Sequence, residues 1–441
     1  MLKNLVLVLA LVSCSVANAA LKIQSWSLPT GVRVYFVENH SIPVLDVSVE
    51  FDAGSRRDPA GKSGVASLTN AMLARGLREE KHPDGSVEPA VAEAQISDGF
   101  ADIAAQRGGG AGIDRAGATL RTLSSKEERE RSVALLSRVL AHPDFPQSLF
   151  ERDKARSLAA IREELTKPEA IASKAFWRLL YQDHPYGQQQ TVESVDAIMR
   201  DDLLAFHRQH YVANRAVVAI IGDVNRDEAD AIARELTRRL PQGSPLSVMP
   251  AVQNAVGAEQ RLPHPASQSH ILLGTPALAR SDPDFFALTV GNYVLGGGGF
   301  VSRLTREVRE KRGLAYSVYS YFNPLAQPGP FQAGLQTQNA RTDDALKLVR
   351  EIIADYVRNG PTEQELKAAK SNLIGGFPLR IDNNRKILDN VAMIGFYGMP
   401  LDYLDSWTAK VAKVTVADIR AAFNRKLGAN ALSTVIVGAP Q

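Results

Sequence analysis

The chain has 441 residues, 45% hydrophobic and 22% charged, enough to bury more than one core and to exclude disorder as its main state. Its 51 Lys and Arg against 48 Asp and Glu leave a formal charge of +3, too weak a field for a dedicated nucleic-acid binder. Its single cysteine, Cys14, lies in the leader, so a processed chain has no disulfide, zinc-thiolate or thiol-nucleophile chemistry.

Residues 1–19 read as an export signal. Lys3 is the only early charge, Leu5 to Val12 is apolar throughout, and Ala17-Asn18-Ala19 fits the small-x-small pattern before a cleavage point. The alternative takes Leu11-Val12-Ser13-Cys14 as a lipobox, with Cys14 lipidated as the new N-terminus. The style of the signal points to the bacterial periplasm. No later segment approaches the ~18 uninterrupted apolar residues of a membrane span, so the expected protein is soluble or tethered only by lipid.

Val32 to Val37 alternates apolar and polar residues, Ile42-Pro43 interrupts, and Val44 to Phe51 alternates again, which predicts an antiparallel pair. Gly61-Lys62-Ser63 looks like the end of a phosphate loop, but Arg56 stands where that loop needs its first glycine. Apolar residues recur at three and four in Val65 to Leu77, Ser125 to Leu140 and Pro146 to Glu164, which predicts helices. Gly108-Gly109-Gly110 and Gly296 to Gly299 both lack the third glycine of the dinucleotide fingerprint, where Ile113 and Ser302 stand. They read as loops, the second either a mobile element that guides substrate or a tight turn before a helix. His207 and His210 lie three apart on a predicted helix. No third His or carboxylate supports them as metal ligands, so a structural role is expected.

Compared with itself at an offset of 216 residues, the chain aligns Asp202-Leu203 with Asp418-Ile419, Ala205 with Ala421, Ala213-Asn214 with Ala429-Asn430, Ile220 with Ile436 and Gly222 with Gly438. Phe423 and Lys426 stand opposite His207 and His210. Both stretches read as a helix, a short Ala-Asn turn and an apolar strand, Ala216 to Ile221 and Leu432 to Val437, stopped by glycine. Duplication of an α/β unit of about 210 residues accounts for the length. The expected class is α+β: two homologous domains, residues 20–240 and 266–441, each a mainly antiparallel sheet covered by helices. The Gly, Ser, Pro and Gln content of Pro241 to Pro265 marks residues 241–265 as the linker.

No Gly-x-Ser-x-Gly elbow and no His-Glu-x-x-His helix occurs. Asp58 to Leu73, however, resembles the active-site helix of the pitrilysin/insulinase family of zinc peptidases, which carries His-x-x-Glu-His directly before Met-Leu. Registered on Gly64-Val65-Ala66 and Met72-Leu73, Ser67 and Ala71 stand where the two His ligands belong and Asn70 where the catalytic Glu belongs. The family's third ligand is a Glu on a later helix similar to Phe150 to Arg162. The best register gives Ala160, with Glu163 and Glu164 a turn away. Zinc sites need three or four protein ligands, so the resemblance implies no metal and no catalytic residue in this half. An active peptidase with an unconventional metal site would rest on Glu163 and Glu164 alone.

The second half carries Phe300-Val301-Ser302-Arg303-Leu304 and Arg309-Glu310-Lys311-Arg312-Gly313-Leu314-Ala315-Tyr316. This is similar to the family's Arg/Tyr pair, in which an Arg and a Tyr seven residues later hold substrate over the zinc. Guanidinium and phenol are both donors, suited to a scissile carbonyl or its oxyanion. The resemblance extends over nearly the whole mature chain, including His184-Pro185-Tyr186-Gly187. It implies a pitrilysin-like fold and a clam-shell arrangement. In this arrangement one subunit bears the metal motif and the other the Arg/Tyr pair. The expected function is thus a non-catalytic, substrate-binding subunit of a heteromeric exported zinc peptidase. Its implied partners are a His-x-x-Glu-His subunit, which holds the zinc, and a peptide. The alternative is a stand-alone peptide-binding or assembly protein that takes extended peptides on an exposed sheet edge.

Overall fold

A six-stranded sheet is built from β1 (Gln24–Ser27), β2 (Arg33–Glu38), β3 (Val44–Phe51), β4 (Gln106–Ala111), β5 (Ala116–Leu123) and β6 (Val217–Gly222); β4 corrects the expected loop at Gly108-Gly109-Gly110, since an exposed edge strand needs no apolar alternation. The structure, a computed structural model, describes residues 21–253, 257–428 and 432–438. The proposed leader, Cys14 and the repeated turn at Ala429-Asn430 lie outside the described residues. Strand order in the sheet is β1-β2-β6-β3-β5-β4.

The expected pairing of the first two alternating strands is therefore corrected. β6 lies between β2 and β3, parallel to the first and antiparallel to the second, with Val218 opposite both Val34 and Val49. Alternation fixes which face of a strand is apolar; it does not fix the neighbour. β6 is buried on both faces, Val218 and Ile220 in the first core and Ala219 and Ile221 in the second, so it reads as a continuous apolar run suited to the sheet interior.

A second sheet repeats the plan with β7 (Glu259–Pro263), β8 (Gln268–Leu278), β9 (Val318–Phe322), β10 (Gly329–Gln338) and β11 (Ser433–Gly438), in the order β7-β11-β8-β10-β9. The β7–β11 pair is parallel and the other pairs antiparallel, as in β2-β6-β3-β5-β4. Five strands thus match in order and sense between the halves, and β1 is the addition. The segment read as a linker contains β7, the counterpart of β2. Its sequence, Glu-Gln-Arg-Leu-Pro, is polar because it forms an exposed sheet edge, which is why composition did not mark it as a strand.

The helices α1 (Val65–Met72), α2 (Lys126–Ala141), α3 (Gln147–Glu164), α4 (Pro168–Leu180) and α5 (Arg200–His210) follow or precede the strands of the first half. α1 is shorter than its apolar pattern, because Gly76-Leu77 turns into a two-residue strand against Val91-Ala92. Two helices cross over. Phe176 of α4 packs on the second sheet, where a Cβ on Gly274 would come within 2.8 Å of its ring; α6 (Asn384–Tyr397) packs on the first sheet, where a Cβ on Gly395 would come within 2.7 Å of the Tyr35 ring. Each half therefore covers part of the other's sheet, and glycine permits the close approach at both crossings.

The buried Asp114 joins the halves. Its carboxylate accepts from Arg56 Nη1 (2.8 Å) and the Tyr186 hydroxyl (2.8 Å) on one side, and from the Ala326 N–H (2.7 Å) and the Tyr397 hydroxyl (2.9 Å) on the other. The His184-Pro185-Tyr186-Gly187 motif is part of this seam: His184 Nε2 lies 3.1 Å from the Pro250 carbonyl.

Candidate functional site

α1 begins where Asp58 accepts the N–H groups of Gly64 (2.8 Å) and Ala66 (2.7 Å), satisfying orphan donors of the helix N-terminus. Burial pushes the Asp58 carboxyl up to about 6 despite these two bonds. The three positions aligned with the metal motif then follow on the helix. Ser67 is half-buried and its Oγ accepts from Gln190 Nε2 at 3.1 Å. Asn70 is buried, and its amide donates to the Gly117 carbonyl (3.0 Å) and the Tyr211 hydroxyl (3.1 Å). Ala71 is an exposed methyl.

On α3, Ala160 is exposed as well. Glu163 pairs with Lys167 (2.7 Å) and Glu164 with Lys174 (2.8 Å), so both carboxylates brace the turn from α3 into α4. A hydroxyl, an amide already committed as a donor and two methyls do not fit zinc, which needs three or four N, S or carboxylate ligands.

The second-half site is built on a wide π-helical turn, Thr305–Glu310. Ser302 is buried and bonds Thr305 (3.1 Å), while Arg303 binds Glu365 through two nitrogens (2.9 and 2.6 Å). The Ser-Arg-Leu segment thus anchors the turn. Gly313, at φ +58°, reverses the chain, and its N–H returns to the Arg309 carbonyl. That reversal lays the Tyr316 ring 4.9 Å from the Arg309 guanidinium, with the Phe300 ring at 4.8 Å on it as well. Phe300 and Tyr316 are 67% and 77% exposed. Arg306, Lys311 and Arg312 pair with Glu307; Arg309 has no hydrogen-bond or ion-pair partner for its side chain among the described residues. Two aromatic rings hold the guanidinium by cation–π attraction and leave its donors unused.

Phe300 has no role in the sequence reading; its only signal is an apolar residue at an exposed position ahead of a helix. Of the Gly296 to Gly299 run, Gly296 is buried against β9, whereas Gly297 and Gly299 are exposed and Gly299 turns the chain at φ +60° with open space around it. Asn292 exchanges hydrogen bonds with Ser320 of β9 (2.9 and 2.7 Å), and a Cβ on Gly296 would strike Ser320.

The crystal structure of a peptidase M16 inactive domain from Pseudomonas fluorescens is 36% identical to this chain, with a TM-score of 0.89 over 96% of this chain and 98% of that one. The chain belongs to the peptidase M16 family. The family's inactive-domain sequence pattern also matches residues 197–373. A Helicobacter pylori protein named non-peptidase homolog YmxG is 27% identical over 92% of this chain and 91% of its own. The periplasmic protease PqqL of Escherichia coli shares the fold at a TM-score of 0.79 and 16% identity, over 95% of this chain and 45% of that one. This is the pitrilysin/insulinase family that the motifs resemble.

The remaining candidates in this M16 chain are absorbed by the fold. Lys62 pairs with Asp202 through both carboxylate oxygens at 2.7 Å. His207 and His210 turn to different backbone carbonyls, Leu140 (2.8 Å) and Asp52 (2.9 Å), and burial pushes both imidazoles down to about 4. Among the described residues one trio, Glu80, His82 and Glu88, lies close enough to share a metal ion. Arg239 bonds both carboxylates (3.0 and 2.8 Å) and Arg138 binds Glu88 at 2.9 Å, which fills the trio with cations already. No helix among the described residues is long and apolar enough to cross a membrane.

Proposed function

We propose that this chain is the non-catalytic, substrate-binding subunit of a heteromeric zinc peptidase exported to the periplasm. Arg309 and Tyr316 donate to the scissile carbonyl at a zinc site that a His-x-x-Glu-His partner holds. The observation that carries this reading is the Arg309 guanidinium, held between two exposed rings with its donors unspent while its neighbours are paired. As charge develops on the carbonyl oxygen, two fixed donors stabilise it more than they stabilise the ground state. The test is cleavage of an unstructured peptide by this chain, by the nearest His-x-x-Glu-His family member of the same genome, and by the two together. Activity of the pair alone is expected; equal activity of the partner without this chain would overturn the proposal.

One observation favours a second reading, a peptide-binding protein without proteolysis. β4 ends the first sheet beside α1, its residues largely exposed and its centre Gly108-Gly109-Gly110, so an extended peptide can add there as a further strand. Peptide binding by the purified chain, lost on blocking that edge with Gly110→Pro and indifferent to Arg309→Ala, would favour it.

A further inference from the structure

A cavity of about 370 Å³ opens at the seam between the halves, and neither an α1 residue nor Arg309 lines it. Arg33, Arg56 and Arg215 of the first half and Arg280 of the second line it, against one lining carboxylate, Asp52. That carboxylate is spent: Asp52 takes Arg56 (3.0 Å) and Arg57 (2.6 Å). Asp114, behind the wall, is filled by Arg56 and the seam donors already described.

Three guanidinium groups meet no carboxylate among the described residues; Arg33 gives Nη1 to the Gly395 carbonyl (3.0 Å), and the other two each keep an unsatisfied nitrogen. Arg280 has no hydrogen-bond or ion-pair partner for its side chain among the described residues, its buried Nε is unsatisfied, and its guanidinium lies 5.4 Å from the centre of the Tyr397 ring and 6.0 Å from that of Phe285. Arg215 gives its Nη groups to the carbonyls of Ser244 and Gln209, but its buried Nε is also unsatisfied. Burial is the largest influence on both and pulls each below the usual guanidinium range, against the opposing pull of Tyr397 and Tyr403 on Arg280 and of Asp52 on Arg215. A desolvated, uncompensated cation is costly unless an anion meets it. Planar guanidinium groups accept carboxylate and phosphate in two-point geometry.

We propose that this cavity binds a small anion with at least two negative charges, a phosphate or a dicarboxylate, between Arg280 and Arg215. The volume is at the small end of ligand pockets, which suits such a molecule and not a folded segment. Because its walls come from both halves, the bound anion ties them together across the seam and stabilises the folded chain by mass action. The proposal is independent of any role for Arg309 and Tyr316.

The test is titration calorimetry and thermal unfolding of the mature chain at constant ionic strength, with inorganic phosphate and, separately, succinate; sodium chloride and acetate are the controls. Saturable binding of either dianion with a rise in Tm is expected, and which of the two binds identifies the ligand class. Arg280→Gln should weaken binding by roughly tenfold or more. It should also raise the Tm of the anion-free protein, since it removes an unpaired buried cation; a merely structural arginine would do the opposite. Ser281→Asp tethers a carboxylate at the cavity wall, and should raise the anion-free Tm and compete out the added anion. Absence of saturable binding, an equal shift with chloride, or unchanged affinity in both variants would overturn the proposal.

Discussion

The two halves share a strand order but spend their polar side chains differently. Around α1, Asn70 gives its amide to Gly117 and Tyr211, Ser67 accepts from Gln190, Asp58 caps the helix and Lys62 pairs with Asp202. In the second half, Arg306, Lys311 and Arg312 are paired, and Arg309 lies against two rings with no hydrogen-bond or ion-pair partner for its side chain among the described residues. A group that the fold has absorbed costs stability when removed. A group left over costs little stability, and its removal is felt by whatever it binds.

The largest effect expected is catalytic. In the assembled pair, Tyr316→Phe should lower kcat by about 10²–10³-fold, as removal of one oxyanion donor does, while stability moves by no more than about 0.5 kcal/mol. Tyr316 is 77% exposed and its hydroxyl holds no neighbour among the described residues, so the fold has little to lose. Arg309→Ala should do the same with the complex intact by gel filtration. A parallel loss of stability and activity would break the contrast between the halves.

Acid should separate them next. His207 is buried and neutral; burial takes its imidazole down to about 4, against an ordinary value near 6.5. The unfolded chain takes up the proton first, so this stabilisation is complete above pH 6.5 and is lost as pH falls towards 4, about 3 kcal/mol in all. In the second half, burial raises the Glu365 carboxyl, but hydrogen bonds from Arg303 and Thr362 overcome it and hold it at about 2, so the anchor of the Arg309 turn keeps its charge over that range. Denaturant unfolding between pH 7 and 4 should show wild type losing about 3 kcal/mol more than His207→Gln, a side chain that can keep the Leu140 contact. Parallel curves would mean that His207 is not the buried neutral group described.

Within α1, Asn70→Ala should cost about 1–3 kcal/mol, because it strands the buried Gly117 carbonyl and takes a donor from Tyr211. Chemical denaturation measures it directly, and a cost near zero would show that water replaces the amide.

What the sequence disclosed follows the range of each signal. Alternation in Val44 to Phe51 and the 216-residue offset are short-range or self-referential patterns, and both survive as β3 and as the matched pair β6 and β11. Pairing partners are long-range: β6 enters between β2 and β3 from far along the chain, and the polar edge strand β7 carries no alternation to betray it. The Arg309 and Tyr316 spacing was legible because seven residues are enough for a turn to bring them together. Phe300 was not, since it meets Arg309 only through the wide helical turn and the glycine run. The four arginines of the seam cavity are scattered from Arg33 to Arg280, and a net charge of +3 conceals their convergence.

The smallest expected effects sharpen the comparison most. Ala71 and Ala160, which the resemblance registers with metal ligands, are both exposed methyls on helix surfaces. Ala71→Ser and Ala160→Glu should each change stability by less than about 0.5 kcal/mol. Ala160→Glu should also retain no stoichiometric zinc on metal analysis, since one carboxylate beside a hydroxyl and an amide is still short of a ligand set. Asn70 lies one residue before Ala71 on the same helix and is expected to cost several times more. If all three positions were equally silent, the fold would hold none of them. An unequal response means that the fold holds Asn70 in its hydrogen bonding and not the others, in contrast to Arg309, whose side chain has no hydrogen-bond or ion-pair partner among the described residues.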